Sequence, residues 1–168
     1  MRLIVVDWEA ALAQSQAGRA LDALERNERR EARATLDALK AALEAEEAEL
    51  TALKDTLPRA DFDERVRDFD QRVRRARRSA QEISASLQSR FSAAREALRG
   101  LALPELQAVM AELDADVALD ARRVLAASPE RDATEALVDR LDAAHPAQRA
   151  LELLPPPEAA AAPGGGAP

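Results

Sequence analysis

The sequence predicts a mostly α protein with a small β body, an α+β chain in which a long antiparallel helical hairpin stands on a short-stranded base. Three observations carry this. Charged residues make up 33% of the chain and aromatic residues 2%, with Ala, Leu, Glu and Arg abundant, which suits extended helices better than a thick core. Two heptad seams flank a proline in the first half of the chain. One short strand-like run, Leu3, Ile4, Val5 and Val6, the last three β-branched, opens a sequence that otherwise reads as helix for the next hundred residues.

The opening run sets a topological condition. A lone strand leaves backbone donors and acceptors unpaired, so its partner has to come from far along the chain. The helical hairpin provides the return path. From Leu36 the apolar residues fall at Leu36, Leu39, Leu43, Leu50, Leu53 and Leu57, the a and d positions of one frame, with Glu46 the single polar intruder. Pro58 disfavours helix at the residue before it, and Asp61 with Glu64 has the spacing of a capping box, so the chain turns near 58–61. A second seam follows at Phe62, Val66, Phe69, Val73, Ala76, Ala80, Ile83 and Leu87. Folding back between Arg59 and Ala60 sets Leu57 against Phe62, Leu53 against Val66, Leu50 against Phe69, Leu43 against Ala76, Leu39 against Ala80 and Leu36 against Ile83. Nearer the base both seams slip by one residue, at Leu21 and Leu24 and at Phe91 and Leu98, a shared register shift of the kind that changes supercoil winding. The Ala76 and Ala80 layers, beside Glu46, form the thinly packed stretch of the hairpin.

After Gly100 the chain is back beside its opening strand. A helix is expected from about Pro104 to Leu113, then two short strands, Val117–Asp120 and Arg122–Ala126, and a closing helix from Asp132 with Glu135 at its capping-box position. Ser128 and Pro129 form a competing helix start. The base sheet is therefore expected to use Leu3, Ile4, Val5, Val6, Val117, Leu119 and Val124. The resulting division is 1–18 for the first strand and the lead-in to the arm, 19–100 for the hairpin, 101–145 for the rest of the base, and 146–168 for a Pro/Ala/Gly-rich tail, disordered from about 155.

The chain carries little that resembles catalytic machinery. Cysteine is absent, removing disulfides and thiol chemistry. His145 is the single histidine, placed before Pro146 at the end of the closing helix, where a surface or capping role is the ordinary reading. No glycine-rich phosphate cradle and no set of oxygen ligands at loop spacing is found, so no cofactor, no metal and no enzyme activity are expected. The apolar run after Arg2 stops at Asp7, short of the roughly 7–15 residues of a secretory leader, so the sequence shows no signal peptide. The net charge of -7 conceals a basic stretch from Arg59 to Arg78 followed by an acidic last third. "RVRRARR" lacks interleaved aromatics, and nucleic acid is not expected as a partner.

Two stretches carry a family resemblance. "DADVALDARRVLAASPERDATEALVDRL" is similar to the end of the Skp/OmpH family of periplasmic chaperones, where strands lead to an Asp, a hydrophobic residue, a Thr and a helix; here these are Asp132, Ala133 and Thr134. "LIVVDWEAALAQSQAGRALDALE" resembles that family's first strand and the small, glycine-containing start of its arm. The resemblance implies a periplasmic homotrimer of jellyfish architecture, whose hairpins enclose unfolded outer-membrane proteins without ATP and keep them from aggregating. It also implies an anionic contact, lipopolysaccharide or a membrane surface, at Arg77 and Arg78. Well-known members are strongly basic whereas this chain is acidic. Phe91, just off the unshifted seam, is a candidate client-facing side chain. The alternative of another class is a structural coiled-coil adaptor whose seam stays open for a partner helix.

Overall fold

The computed structural model describes residues 1–157, and the expectation of a disordered tail falls almost entirely on 158–168, outside them. The elements are β1 (Leu3–Val6), α1 (Trp8–Gln14), α2 (Gln16–Leu53), α3 (Arg59–Glu112), β2 (Val117–Asp120), α4 (Thr134–Ala144) and α5 (Arg149–Leu153), with short 3₁₀ turns at Ala121–Arg123 and Pro129–Arg131. They form two compact units, a base from residues 1–25 and 89–157, and a hairpin from 26–88.

In the base, β1 finds its partner more than a hundred residues away. It pairs in parallel with β2, Leu3 opposite Val117 through Val6 opposite Asp120. Parallel strands need a crossover, and α1, α2 and α3 together are that crossover. A two-stranded ribbon is marginal alone, and this one is braced by neighbouring segments along β1. The Asp116 carboxylate accepts the Arg2 N–H at 2.6 Å, the Ala133 N–H donates to the Val5 carbonyl at 2.9 Å, and the Thr134 hydroxyl accepts the Asp7 N–H at 2.9 Å. Ile4 and Val6 enter one apolar cluster with Leu12, Leu21, Leu98, Val109, Leu137 and Leu141.

Three helix ends in the base have a clear chemical reason. Asp7 caps α1 by accepting the Ala10 N–H at 2.9 Å. Ser15 ends it, fully buried, with its hydroxyl donating to the Leu12 carbonyl at 2.7 Å and accepting the Gly18 N–H at 3.1 Å. At the end of α3, Asp114 takes the left-handed conformation (φ 50°), the Ala115 N–H reaches the Met110 carbonyl at 2.8 Å, and the helix closes in a Schellman motif.

Three expectations for the base are corrected. Pro104 does not start a helix; it lies inside α3, which runs unbroken to Glu112. The lost hydrogen bond of an internal proline costs about 3 kcal/mol, and burial of Leu98, Ala102 and Val109 on either side offsets it. The second strand, Arg122–Ala126, does not form, so Val124 is not part of the sheet. Asp120 accepts the Arg122 N–H at 3.0 Å and its guanidinium at 3.2 Å, folding Ala121–Arg123 into a 3₁₀ turn that Val124 terminates. The same Arg122 hydrogen bond holds the Asp120 carboxyl below its ordinary pKa. Finally, residues 146–157 are not tail-like, because they contain α5 with Ala150 fully buried. The closing helix starts at Thr134, where Asp132 accepts both the Thr134 N–H (2.9 Å) and its hydroxyl (2.6 Å), while Pro129 starts a separate 3₁₀ turn.

One polar clamp in the base reaches across its helices. Arg95 of α3 bonds Asp22 at 3.0 Å and Glu25 more closely, and these carboxylates raise its pKa, the Glu25 hydrogen bond foremost. The site is partly exposed, so solvent screening limits its worth. Arg95→Ala is expected to cost about 1 kcal/mol in urea denaturation, a difference that should shrink in 1 M salt, where the screening length is about 3 Å. A loss that ignored salt would point to packing of the arginine stem instead.

Candidate functional site

In the hairpin unit, α2 ends at Leu53 and α3 begins at Arg59, so the turn occupies the residues between. Leu53 accepts the N–H groups of Thr56 and Leu57, both at 3.1 Å. Along α3 the residues shielded from solvent recur at Phe62, Val66, Phe69, Val73, Ala76, Ala80 and Ile83, and along α2 at Leu36, Leu43, Leu50 and Leu53. Leu57, in the turn, is shielded to a similar degree. None of these reaches full burial, and Leu39 is 39% exposed. Two helices cover only one stripe of each other, so the rims of the seam remain open to water.

A groove opens in the stretch of the seam that holds Ala76 and Ala80. Leu36, Leu39 and Leu43 on α2 face Phe69, Val73, Ala76 and Ala80 on α3 across a groove of about 580 Å³. Alanines opposite leucines leave volume that a larger pair would fill. Glu46 does not sit bare in this thin stretch, because it forms an ion pair with Arg72, the neighbour of Val73. The rim is charged in both signs, with Lys40 and Arg77 beside Glu44, Glu47 and Asp70. Arg77 therefore lines the groove; Arg78 is exposed and is not part of its lining. The two arginines, adjacent in sequence, point about 100° apart around the helix and do not form one pincer.

Phe91 belongs elsewhere. It is fully buried, so its expected role as a client-facing side chain is corrected. The buried residues of α3 step from Leu87 to Phe91, Ala94, Leu98 and Ala102, and the shifted register turns Phe91 inward. At the sheet, Leu3, Val5, Leu119, Val124, Ala126 and Ala127 line a hollow of about 270 Å³, and beside them Leu125 is wholly exposed. Leu125 had no separate sequence signal beyond its place in the expected second strand, where alternation puts it opposite in direction to Val124. His145 caps the end of α4, largely buried, with Nε2 3.5 Å from a Glu105 carboxylate oxygen. Among the described residues no group of three or more His, Cys, Asp or Glu is arranged to hold a metal ion, and no helix is long and apolar enough to cross a membrane.

A parallel two-stranded sheet in one unit and a helical hairpin with a groove along its seam in the other define an α+β protein with long helical arms. The chain belongs to the OmpH-like outer membrane protein family, which matches residues 2–141. The fold is similar to the crystal structure of an OmpH-like protein from Caulobacter crescentus proposed to be an outer membrane chaperone, with a TM-score of 0.73, 22% identity and 84% of each chain covered. The comparison with curated proteins gives no match.

Proposed function

We propose that this protein is an ATP-independent holdase that keeps unfolded outer-membrane proteins from aggregating in the periplasm, working as a homotrimer. The observation that carries the reading is the half-open hairpin seam, whose groove from Leu36 to Leu43 and from Phe69 to Ala80 offers apolar surface without enclosing it. Such a surface suits many weak contacts with a mobile client, and weak contacts add through multivalency when several hairpins act together. Membership of the OmpH-like family and the fold of the Caulobacter protein support the same reading. Arg77 on the groove rim and the exposed Arg78 are the proposed contacts for acidic client segments, lipopolysaccharide or an anionic membrane surface.

Homo-oligomerisation is supported by the base. The outer edge of β2 has no strand partner among the described residues, the backbone at Val124 and Ser128 is extended, and the exposed Leu125 stands beside the apolar hollow. An open sheet edge with an adjoining apolar knob and hollow is satisfied by another copy of itself. The expected mass in solution is that of a trimer, and Leu125→Asp should shift it toward monomer. In the functional test, an unfolded β-barrel protein is diluted from denaturant and its light scattering followed; stoichiometric trimer is expected to suppress the rise. Scattering as rapid as without the protein would end the holdase reading, and specific capture of one folded helical partner would favour the adaptor.

A further inference from the structure

The family match ends at residue 141, yet the chain goes on to build structure against the base. After α4 the chain turns at Pro146, whose carbonyl accepts the Arg149 N–H at 2.9 Å, and forms the five-residue α5. A helix this short does not persist by its own hydrogen bonds, since nucleation is costly and only a few bonds follow it. It is held from outside by few contacts. Ala150 is fully buried, and Leu153 and Leu154 pack, partly exposed, on the core cluster. The Pro155 carbonyl accepts the Arg90 Nε–H of α3 at 2.8 Å, a partly buried bond between segments 65 residues apart. Leu151 meanwhile is 63% exposed, so α5 turns one face to the core and leaves the other in water.

Segments with few buried apolar contacts open locally before the molecule unfolds. We propose that residues 146–157 form a strap that detaches from the base as a unit while the rest stays folded, and that its attachment steadies α3 around Arg90. The strap covers a surface built by α3 and the core, and Arg90 is the point at which its far end is fastened. This holds whether or not the protein is a chaperone.

Hydrogen exchange on the full-length protein tests it. Amides of 149–154 are expected to exchange together, faster than those of Leu137–Leu141 yet slower than in an unstructured peptide. Arg90→Gln removes the fastening donor and Ala150→Glu forces a charge into a filled site. Each should speed exchange at 149–154 by about tenfold or more, and at 89–95 severalfold, with Leu137–Leu141 unchanged. If Ala150→Glu also strips protection from Leu137–Leu141, the base has unfolded and Arg90→Gln alone decides. The proposal is overturned if 149–154 exchange no faster than α4 in the unaltered protein, or if freeing the strap leaves 89–95 as protected as before.

Discussion

Gly18→Ala is expected to destabilise the base by about 3 kcal/mol, while Gly100→Ala should stabilise the protein by about 0.5–1 kcal/mol, so that two identical substitutions in long helices act with opposite sign. At Gly18 a Cβ would lie 1.9 Å from the Leu12 carbonyl oxygen and 2.9 Å from its carbon, and 3.2 Å from the Ser15 hydroxyl. The obstacle is backbone at the break between α1 and α2, and it cannot swing aside as a side chain would. The Ser15 hydroxyl, which bonds both Leu12 and Gly18, is pinned in the same spot. Relief would require moving α1, and Leu12 with it, away from Leu21, its companion in the core cluster. At Gly100 nothing lies within 4 Å of the position a Cβ would take, and the residue is helical, so alanine only restricts the unfolded chain. Urea midpoints of the two variants, measured side by side, decide the matter. A Gly18→Ala protein as stable as the parent would show that the approach of α2 to Leu12 is looser than described.

Much of the hairpin was legible because its signal is periodic and local. A residue every three or four positions states which stripe of a helix is shielded, and Phe62, Val66, Phe69 and Val73 need no distant information to be read. The long-range pairing of Leu3–Val6 with Val117–Asp120 was legible for a different reason, since unpaired strands are costly and few other segments favour extended structure. What escaped depends on contacts that carry no period. Pro104 has the local chemistry of a helix start, and only the burial of its neighbours keeps α3 intact through it. Val124 has the propensity of a strand residue, but the Asp120 side chain captures Arg122 one step earlier and bends the chain away. Residues 149–153 are good helix formers but too short a run between Pro146 and the Pro-rich stretch from Pro155 to be read as a helix, and α5 exists because Ala150 and Leu154 find a surface. The groove between Leu43 and Ala76 was foreshadowed by small residues in the seam; that Arg77 lines it and Arg78 does not follows from their angular separation.

The phenylalanines provide the other large contrast. Phe91→Ala should cost about 3–5 kcal/mol, the usual range for truncating a buried phenylalanine in a close-packed setting. Phe91 is the largest fully buried side chain of the described residues, flanked on α3 by Leu87 and Ala94. Phe69 is half-buried on the groove, so Phe69→Ala forfeits part of a side chain's burial, about 1–2 kcal/mol, and widens the opening between Leu43 and Val73. The two changes therefore separate stability from binding. Denaturation should report the Phe91 variant strongly and the Phe69 variant weakly. Suppression of client aggregation, measured where both variants are folded, should fall for Phe69→Ala and hold for Phe91→Ala, because only the first removes apolar surface that a client can touch. Were Phe91→Ala nearly neutral in stability yet deficient in holding clients, the inward register at the foot of the hairpin would be wrong, and Phe91 would regain the client-facing role that its burial denies it.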